Sequence, residues 1–243
     1  MIPLRDSIPS SRPPVVTYGL IAACGVVWGL QLGNPDGALV DALAMVPAEV
    51  LGHAPYGPRA AVPAWATLLT CTFLHGGWLH FLGNMLFLWI FGDNVEDRFG
   101  RLPFLLFYLL AGVAASAAHL WTSPESTVPT VGASGAIAGV MGAYLLLYPQ
   151  SRVQMLVVWG FYVDLIVLPA KFFLGYWFVL QLLQGSIEFG REGGGVAWWA
   201  HIGGFVLGAL CALGLKASHR LRPAPAEIAL LRRRVGRSKG RGW

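Results

Sequence analysis

The sequence predicts an all-α, polytopic membrane protein with six transmembrane helices, and three observations predict it. Hydrophobic residues make up 56% of the 243 and charged residues only 12%, about half the charge of an ordinary soluble domain. The mean hydropathy of +0.60 makes the bilayer the expected solvent. The apolar residues also gather in six runs, separated by segments that collect the charges.

The first run, about Val16–Leu32, follows Arg5 and Arg12. No small-x-small cleavage site leads from it into a soluble domain, so it reads as a retained helix. The second covers about Trp78–Phe91, starts as early as His75, and ends at the charged segment Asp93–Arg98. The third is about Leu102–Trp121. The fourth begins at Ser134 and stops at Tyr148, because Pro149 disfavours continuation. The fifth lies within about Leu165–Leu183, its start blurred by apolar residues from Met155 onward, and the sixth covers about Val196–Leu215. In the long segment Gly33–Leu74, Ala42–Leu51 is apolar enough for a short interfacial helix, interrupted by Pro47. No internal repeat or Gly/Ser-rich linker divides the chain. It reads as a short N-terminal segment 1–15, one membrane domain 16–215 and a basic tail 216–243.

Charge bias sets the orientation. With the N-terminus in the cytoplasm, the inner segments hold Arg5, Arg12, Arg98, Arg101, Arg152 and the tail. The outer segments then hold only Arg59 and Arg191, against Asp36, Asp41, Glu49, Glu125, Glu188 and Glu192. Both termini are expected inside, which requires an even number of spans; a bacterial inner membrane is the expected location. The tail from Lys216 carries nine Lys/Arg and a single acid, Glu227. Without an accompanying nucleic-acid-binding fold or aromatic platform, it points to anionic membrane lipid rather than nucleic acid. Cys24, Cys71 and Cys211 have no metal-site or redox spacing and read as small buried hydrophobes.

Polar side chains inside apolar spans are costly and point to function. Ser134, in Gly132-Ala133-Ser134-Gly135, opens the fourth span; alone, it could be an ordinary packing serine. His201 lies just inside the outer end of the sixth span, followed at helical spacing by Gly204 and Gly208. The fourth span carries its own small face in Gly135, Gly139 and Ala143. Direct packing of these two spans would bring Ser134 and His201 to one depth. His80 and Asn84, four apart on the second span, share a face and can both donate hydrogen bonds, although structural cross-linking is their simpler reading. His75 reads as a loop or cap residue, His119 as a packing or interface residue, and Asp164 as lying too deep to join the group. Together the four form the set that peptide hydrolysis requires: a hydroxyl, a base and donors for an oxyanion. No metal or cofactor site is expected, because no carboxylate or thiol accompanies them and no H-E-x-x-H occurs.

Three motifs in register resemble the rhomboid family of intramembrane serine proteases. Phe73-Leu74-His75-Gly76-Gly77-Trp78-Leu79-His80-Phe81-Leu82-Gly83-Asn84-Met85 resembles its second-span signature. Gly132-Ala133-Ser134-Gly135 resembles its nucleophile motif, and Ala200-His201-Ile202-Gly203-Gly204 with Gly208 its histidine motif; Glu96–Gly100 matches a frequent inner-loop pattern. The resemblance implies a six-helix rhomboid-like bundle with Ser134 as nucleophile and His201 as general base. The Ser134 backbone N–H, His80 and Asn84 would stabilise the oxyanion. It also implies no cofactor, and substrates that are membrane proteins, mostly single-span, cut near the outer surface. The chain departs from the family pattern in two places. Ala66 and Thr67 stand where many members have Trp-Arg before the threonine that is Thr70 here, and Ala138 stands where some carry an aromatic residue stacked on the histidine. Something else must therefore orient His201. The aromatic run Phe172, Phe173, Tyr176, Trp177 and Phe178, with a glycine-rich segment Gly185–Gly195 beyond it, suggests a side gate under a mobile cap. A catalytically inactive, client-binding relative is the rival reading; it would lack Ser134 or His201, and both are present. An unrelated transporter would show broken helices or paired ionisable groups at the midplane.

Overall fold

The structure is a computed structural model and describes residues 2–55, 61–189 and 196–224. It is mostly helical. Among the described residues nine α-helices follow in order: α1 (Val15–Leu32), α2 (Ala38–Leu43), α3 (Pro47–Val50), α4 (Thr67–Thr70), α5 (Trp78–Phe99), α6 (Arg101–Thr122), α7 (Ser134–Leu147), α8 (Ala170–Ile187) and α9 (Trp198–Ala217). Of these, α1, α6 and α9 are long and apolar enough to cross a membrane. The others are shorter or more polar: α7 has 14 residues, and the last turns of α5 carry Asp93, Glu96, Asp97 and Arg98.

The fold corrects the all-α expectation. The run before α8 is not helix but a β-hairpin, β2 (Arg152–Trp159) and β3 (Tyr162–Pro169), and the N-terminal segment adds β1 (Ile2–Arg5), giving an antiparallel sheet of order β1-β2-β3. Gly160, at φ +57°, makes the hairpin turn between Trp159 and Tyr162. Asp164 consequently sits on β3, outside any helix. α8 begins at Ala170, directly after Pro169, rather than near Leu165. The expected interfacial helix over Ala42–Leu51 is split into α2 and α3, with Pro47 starting the second. Met45 and Ala48 there are buried and bridged to the Ser126–Thr130 loop, so this segment packs on protein. Gly185 belongs to α8, and residues 190–195 of the expected cap lie outside those described, as does most of the basic tail.

A second correction concerns α5, which continues through the charged segment where the sequence suggests its end. Those charges are spent on neighbouring segments. Glu96, 3% exposed, accepts the N–H groups of Val16 and Thr17 at 3.1 and 2.8 Å and the Thr17 hydroxyl at 2.9 Å. It thereby caps the start of α1, whose own N-cap, Pro14, supplies no side chain for the purpose. Asp97 accepts from the backbone and hydroxyl of Ser11. Asp6 accepts from the Tyr144 hydroxyl, which tethers the N-terminal segment to the far end of α7.

The contact that positions the site is between α7 and α9. A β-carbon added to Gly208 would lie 1.8 Å from the Gly139 carbonyl oxygen, and one on Gly204 2.0 Å from that of Gly135. In the other direction, a β-carbon on Gly142 would lie 2.1 Å from the Phe205 carbonyl. The two backbones touch without side chains between them, as the small faces of the two sequences imply. α6 closes on the same pair, with Ala115 beside Gly135 and Ala118 beside Gly203. Gly208→Ala is therefore expected to cost about 3 kcal/mol or more, since the obstacle is backbone that cannot turn aside. Gly214→Ala, with nothing within 4 Å, should be neutral or slightly stabilising. Thermal unfolding in mild detergent compares the two; equal midpoints would show that the α7–α9 contact is not set by these glycines.

Candidate active site

Ser134 is the first residue of α7, and the turn into it runs through Gly132 at φ +133°. A β-carbon at position 132 would stand 2.7 Å from Cε1 and Nε2 of His80 and 3.5 Å from Ser134 Oγ. His80 can therefore sit beside Ser134 only because this position has no side chain. As the first residue of a helix, Ser134 also has a backbone N–H without an intrahelical acceptor.

His201 lies in the first turn of α9, 9% exposed, with Nε2 2.8 Å from Ser134 Oγ and Nδ1 2.7 Å from Gln181 Oε1. Gln181 is on α8 and 5% exposed. Its amide nitrogen donates to the Trp177 carbonyl at 3.3 Å, which leaves Oε1 facing the histidine. An amide oxygen only accepts, so Nδ1 carries the proton and Nε2 is left to accept from the serine hydroxyl. Trp177 lies across the ring at 5.8 Å and 36°, and Trp198 meets it edge-on at 6.4 Å and 89°. These three side chains answer the question raised by Ala138. The signal for Gln181 was present in the sequence as an amide in an apolar run, but the fold alone shows that it meets His201.

His80 and Asn84 lie one turn apart on α5. The Gly76 N–H points at His80 Nδ1 at 3.3 Å, so Nδ1 is the acceptor and Nε2 is free to donate beside Gly132 and Ser134. Asn84 is 8% exposed, and its Nδ2 has no acceptor among the described residues. A buried amide donor left without a partner costs about 1–3 kcal/mol, which is tolerable where an incoming group completes the bond. His75 is a strut rather than a donor. Its backbone is held by reciprocal bonds with the Gln31 amide, both 2.9 Å, and burial followed by the proximity of His80 lowers its pKa to about 4.

Ser134, His201, His80, Asn84 and Trp177 line one open cavity of about 1360 Å³, roofed by the 123–132 loop, and His119 reaches its wall. The structure thus brings together all four residues singled out from sequence and leaves Asp164 at the other end of α7, bonded to the Tyr162 hydroxyl. Among the described residues no cluster of three or more His, Cys, Asp or Glu could hold a metal ion. Chemically, the arrangement offers a hydroxyl whose proton has a fixed acceptor, and donors facing the same space from a second helix.

Residues 63–218 match the sequence model of the Rhomboid domain. The chain is similar to Rhomboid protease GluP of Bacillus subtilis, 37% identical over 68% of this chain and 30% of that protein. It resembles Putative rhomboid protease YdcA of the same species at 34% over 55% of this chain and 62% of that one. It also resembles Rhomboid-like protein 11, chloroplastic, of Arabidopsis thaliana, at 31% over 60% of this chain and 51% of that one. The matches thus span between about a third and three fifths of these relatives' lengths.

If Gln181 holds the tautomer of His201, then Gln181→Leu should slow labelling of Ser134 by a fluorophosphonate probe about tenfold, the worth of one neutral hydrogen bond. The thermal midpoint should fall by no more than the loss of this one buried bond implies, about 1–3 kcal/mol. An unchanged labelling rate would show that Trp177 and Trp198 suffice to hold the ring.

Proposed function

The chain belongs to the rhomboid family, and on that premise we propose that it is an intramembrane serine endopeptidase. Ser134 is the nucleophile and His201 the general base. The observation that carries this reading is the 2.8 Å contact between Ser134 Oγ and His201 Nε2, in the wall of a cavity shared with two further donors. In the reaction, Ser134 Oγ attacks the scissile carbonyl carbon while Nε2 takes its proton. The carbonyl oxygen becomes an oxyanion, which His80, Asn84 and the Ser134 N–H can receive. The imidazolium then gives the proton to the leaving amine, and water repeats the sequence in reverse on the acyl-enzyme.

Helix length supports an intramembrane setting. The 14 residues of α7 span about 21 Å, short of the roughly 30 Å hydrocarbon core. With its far end at the inner surface, Ser134 lies below the outer one, and the open cavity lets water reach it. In this reading α1, α5, α6, α7, α8 and α9 form six spans with both termini inside. Substrates are membrane proteins, above all single-span ones, because a peptide bond in an intact helix hides its carbonyl in an i→i−4 bond and must unwind to be attacked. Lateral access between α5 and α8 fits the cavity, which has Phe87 of α5 and Trp177 of α8 in its lining. Deeper, Phe173 closes that gap against Phe87 and Phe91 at 6.2 and 6.3 Å. Trp177 itself contacts His201, so it belongs to the site as well as to the gate.

Ser134→Ala and His201→Ala should each abolish cleavage of a single-span substrate in liposomes while the fold persists. His80→Ala and Asn84→Ala should each lower kcat about 10²–10³-fold with KM little changed, because an oxyanion donor acts chiefly in the transition state. Cleavage by a folded Ser134→Ala protein would refute the assignment, whereas no cleavage by the folded wild type would favour the client-binding alternative. For the topology, a reporter active only outside the cytoplasm and fused after Trp243 should stay silent; a strong signal would invert the orientation.

A further inference from the structure

The hairpin β2–β3 shows a face that the proposed chemistry does not use. In the ladder, Val158 pairs with Val163, Leu156 with Leu165 and Gln154 with Val167, while Ile2 of β1 pairs with Leu156. Paired residues point to the same side of a sheet. One side, carrying Val153, Met155, Ile166 and Leu168, is covered by the helices. The other exposes Ile2, Val158, Val163, Leu165 and Val167 at 46–61% of their surface, and the turn beside it carries Trp159 at 83% and Phe161, which is fully exposed. An apolar sheet face of this extent is not left in water without reason.

We propose that this face lies on the membrane surface, its aliphatic side toward the acyl chains and its turn anchored among anionic lipid headgroups. Three features select lipid. First, Pro169 ends β3 and Ala170 begins α8, so no linker separates the hairpin from the exposed apolar side of α8, where Phe172, Tyr176 and Val179 are 50–60% exposed. The two surfaces are continuous, and the hairpin, about 26 Å long for eight residues per strand, stays within reach of the bilayer. Second, the cations on the apolar side are Arg5 and Arg152, with Arg5 bonded to Gln154 at 2.7 Å. They complement anionic headgroups, whereas a two-fold contact with a second copy would bring like charges together. Third, Trp159 and Tyr162 pair with each other beside the turn on the opposite side of the sheet, so with the aliphatic side toward the acyl chains they face the headgroups, the level at which these residue types settle. The outer edge of β3 has no strand partner among the described residues. Its free backbone groups therefore require water or headgroups, which places the sheet in the interface and not in the hydrocarbon. Since the hairpin follows the far end of α7 from Ser134, it acts on the membrane face opposite the catalytic mouth. There it would fix the base of α8, the helix that carries Gln181 and Trp177.

This rests on the reading of the chain as a membrane-embedded protein, and the test separates the two. Single spin labels are placed at Leu165→Cys, Val179→Cys and Asp36→Cys in full-length protein carrying Cys211→Ala, the remaining cysteines being buried. The protein is reconstituted in nanodiscs of phosphatidylcholine with and without phosphatidylglycerol. Relaxation by oxygen is compared with relaxation by a water-soluble nickel chelate. Position 165 is expected to resemble lipid-facing 179, with oxygen favoured over nickel by several-fold, and more so with phosphatidylglycerol present. Trp159→Ser with Phe161→Ser, at exposed positions, should move it several-fold toward nickel. Nickel access at 165 equal to that at Asp36→Cys would overturn the proposal. So would low access to both reagents accompanied by a spin–spin distance showing a second copy against the sheet. Nickel access at 179 would overturn the membrane reading itself.

Discussion

The approach of α7 and α9 is the constraint on which the rest of the structure depends. At Gly204 and Gly208 on one side and Gly142 on the other, each helix presents its backbone directly to the other. No rotation of either helix can restore the contact once a side chain intervenes. The residue ahead of this interface on α7 is Ser134, and the one ahead of it on α9 is His201, so the 2.8 Å bond between them inherits its precision from bare backbone. α8 is then fixed against α9 by Phe178 on Phe205 at 4.5 Å and by the Trp199 indole on the Gly185 carbonyl at 3.1 Å. That seating carries Gln181 to the other ring nitrogen. A loop-borne pair would lack this determinism, since side-chain packing leaves room for rotamers where touching backbones leave none.

The two ends of α5 treat their polar groups differently. Toward the sheet, Glu96 and Asp97 each accept several bonds and tie the N-terminal segment and α1 to the bundle. Buried carboxylates are tolerated there because donors meet them on several sides. Toward the cavity, Asn84 keeps a donor without an acceptor and His80 keeps Nε2 beside an open space. The same helix therefore supplies anchorage at one end and unmet hydrogen-bonding capacity at the other.

This contrast also explains what could be read from the sequence. The helices α1, α6, α7 and α9 lie within about two residues of their expected bounds, because uninterrupted hydrophobicity is a sufficient signal for them. The meeting of Ser134 and His201 was readable from two small-residue faces. The end of α5 was not, because its charges are satisfied by α1 and Ser11, partners that sequence proximity does not reveal. The hairpin was hidden for another reason. An unbroken apolar run does not distinguish strand from helix by period, and the β-branched Val153, Val157, Val158, Val163, Ile166 and Val167 around Gly160 were the discriminating signal. Gln181 was visible as a polar residue in an apolar helix, yet only the rotation of α8 against α9 tells which side it faces.

Gln181 in the place of a carboxylate has a consequence for how the proposed reaction divides its electrostatics. A carboxylate beside Nδ1 would both fix the tautomer and stabilise the imidazolium that forms when Nε2 takes the serine proton. The Gln181 amide, itself anchored to the Trp177 carbonyl, fixes the tautomer as well but brings no charge. On the buried side of the His201 ring a lone carboxylate would itself be costly, so a neutral acceptor suits the setting. The imidazolium must then draw its stabilisation chiefly from the oxyanion that forms with it, an ion pair created within the cavity and strengthened by low dielectric. The remaining burden falls on the oxyanion side, where His80, Asn84 and the first amide of α7 converge from two helices. A site without a third charged member thus leans on its donors, and the unpartnered Asn84 amide is the form that such a dependence takes in the resting structure.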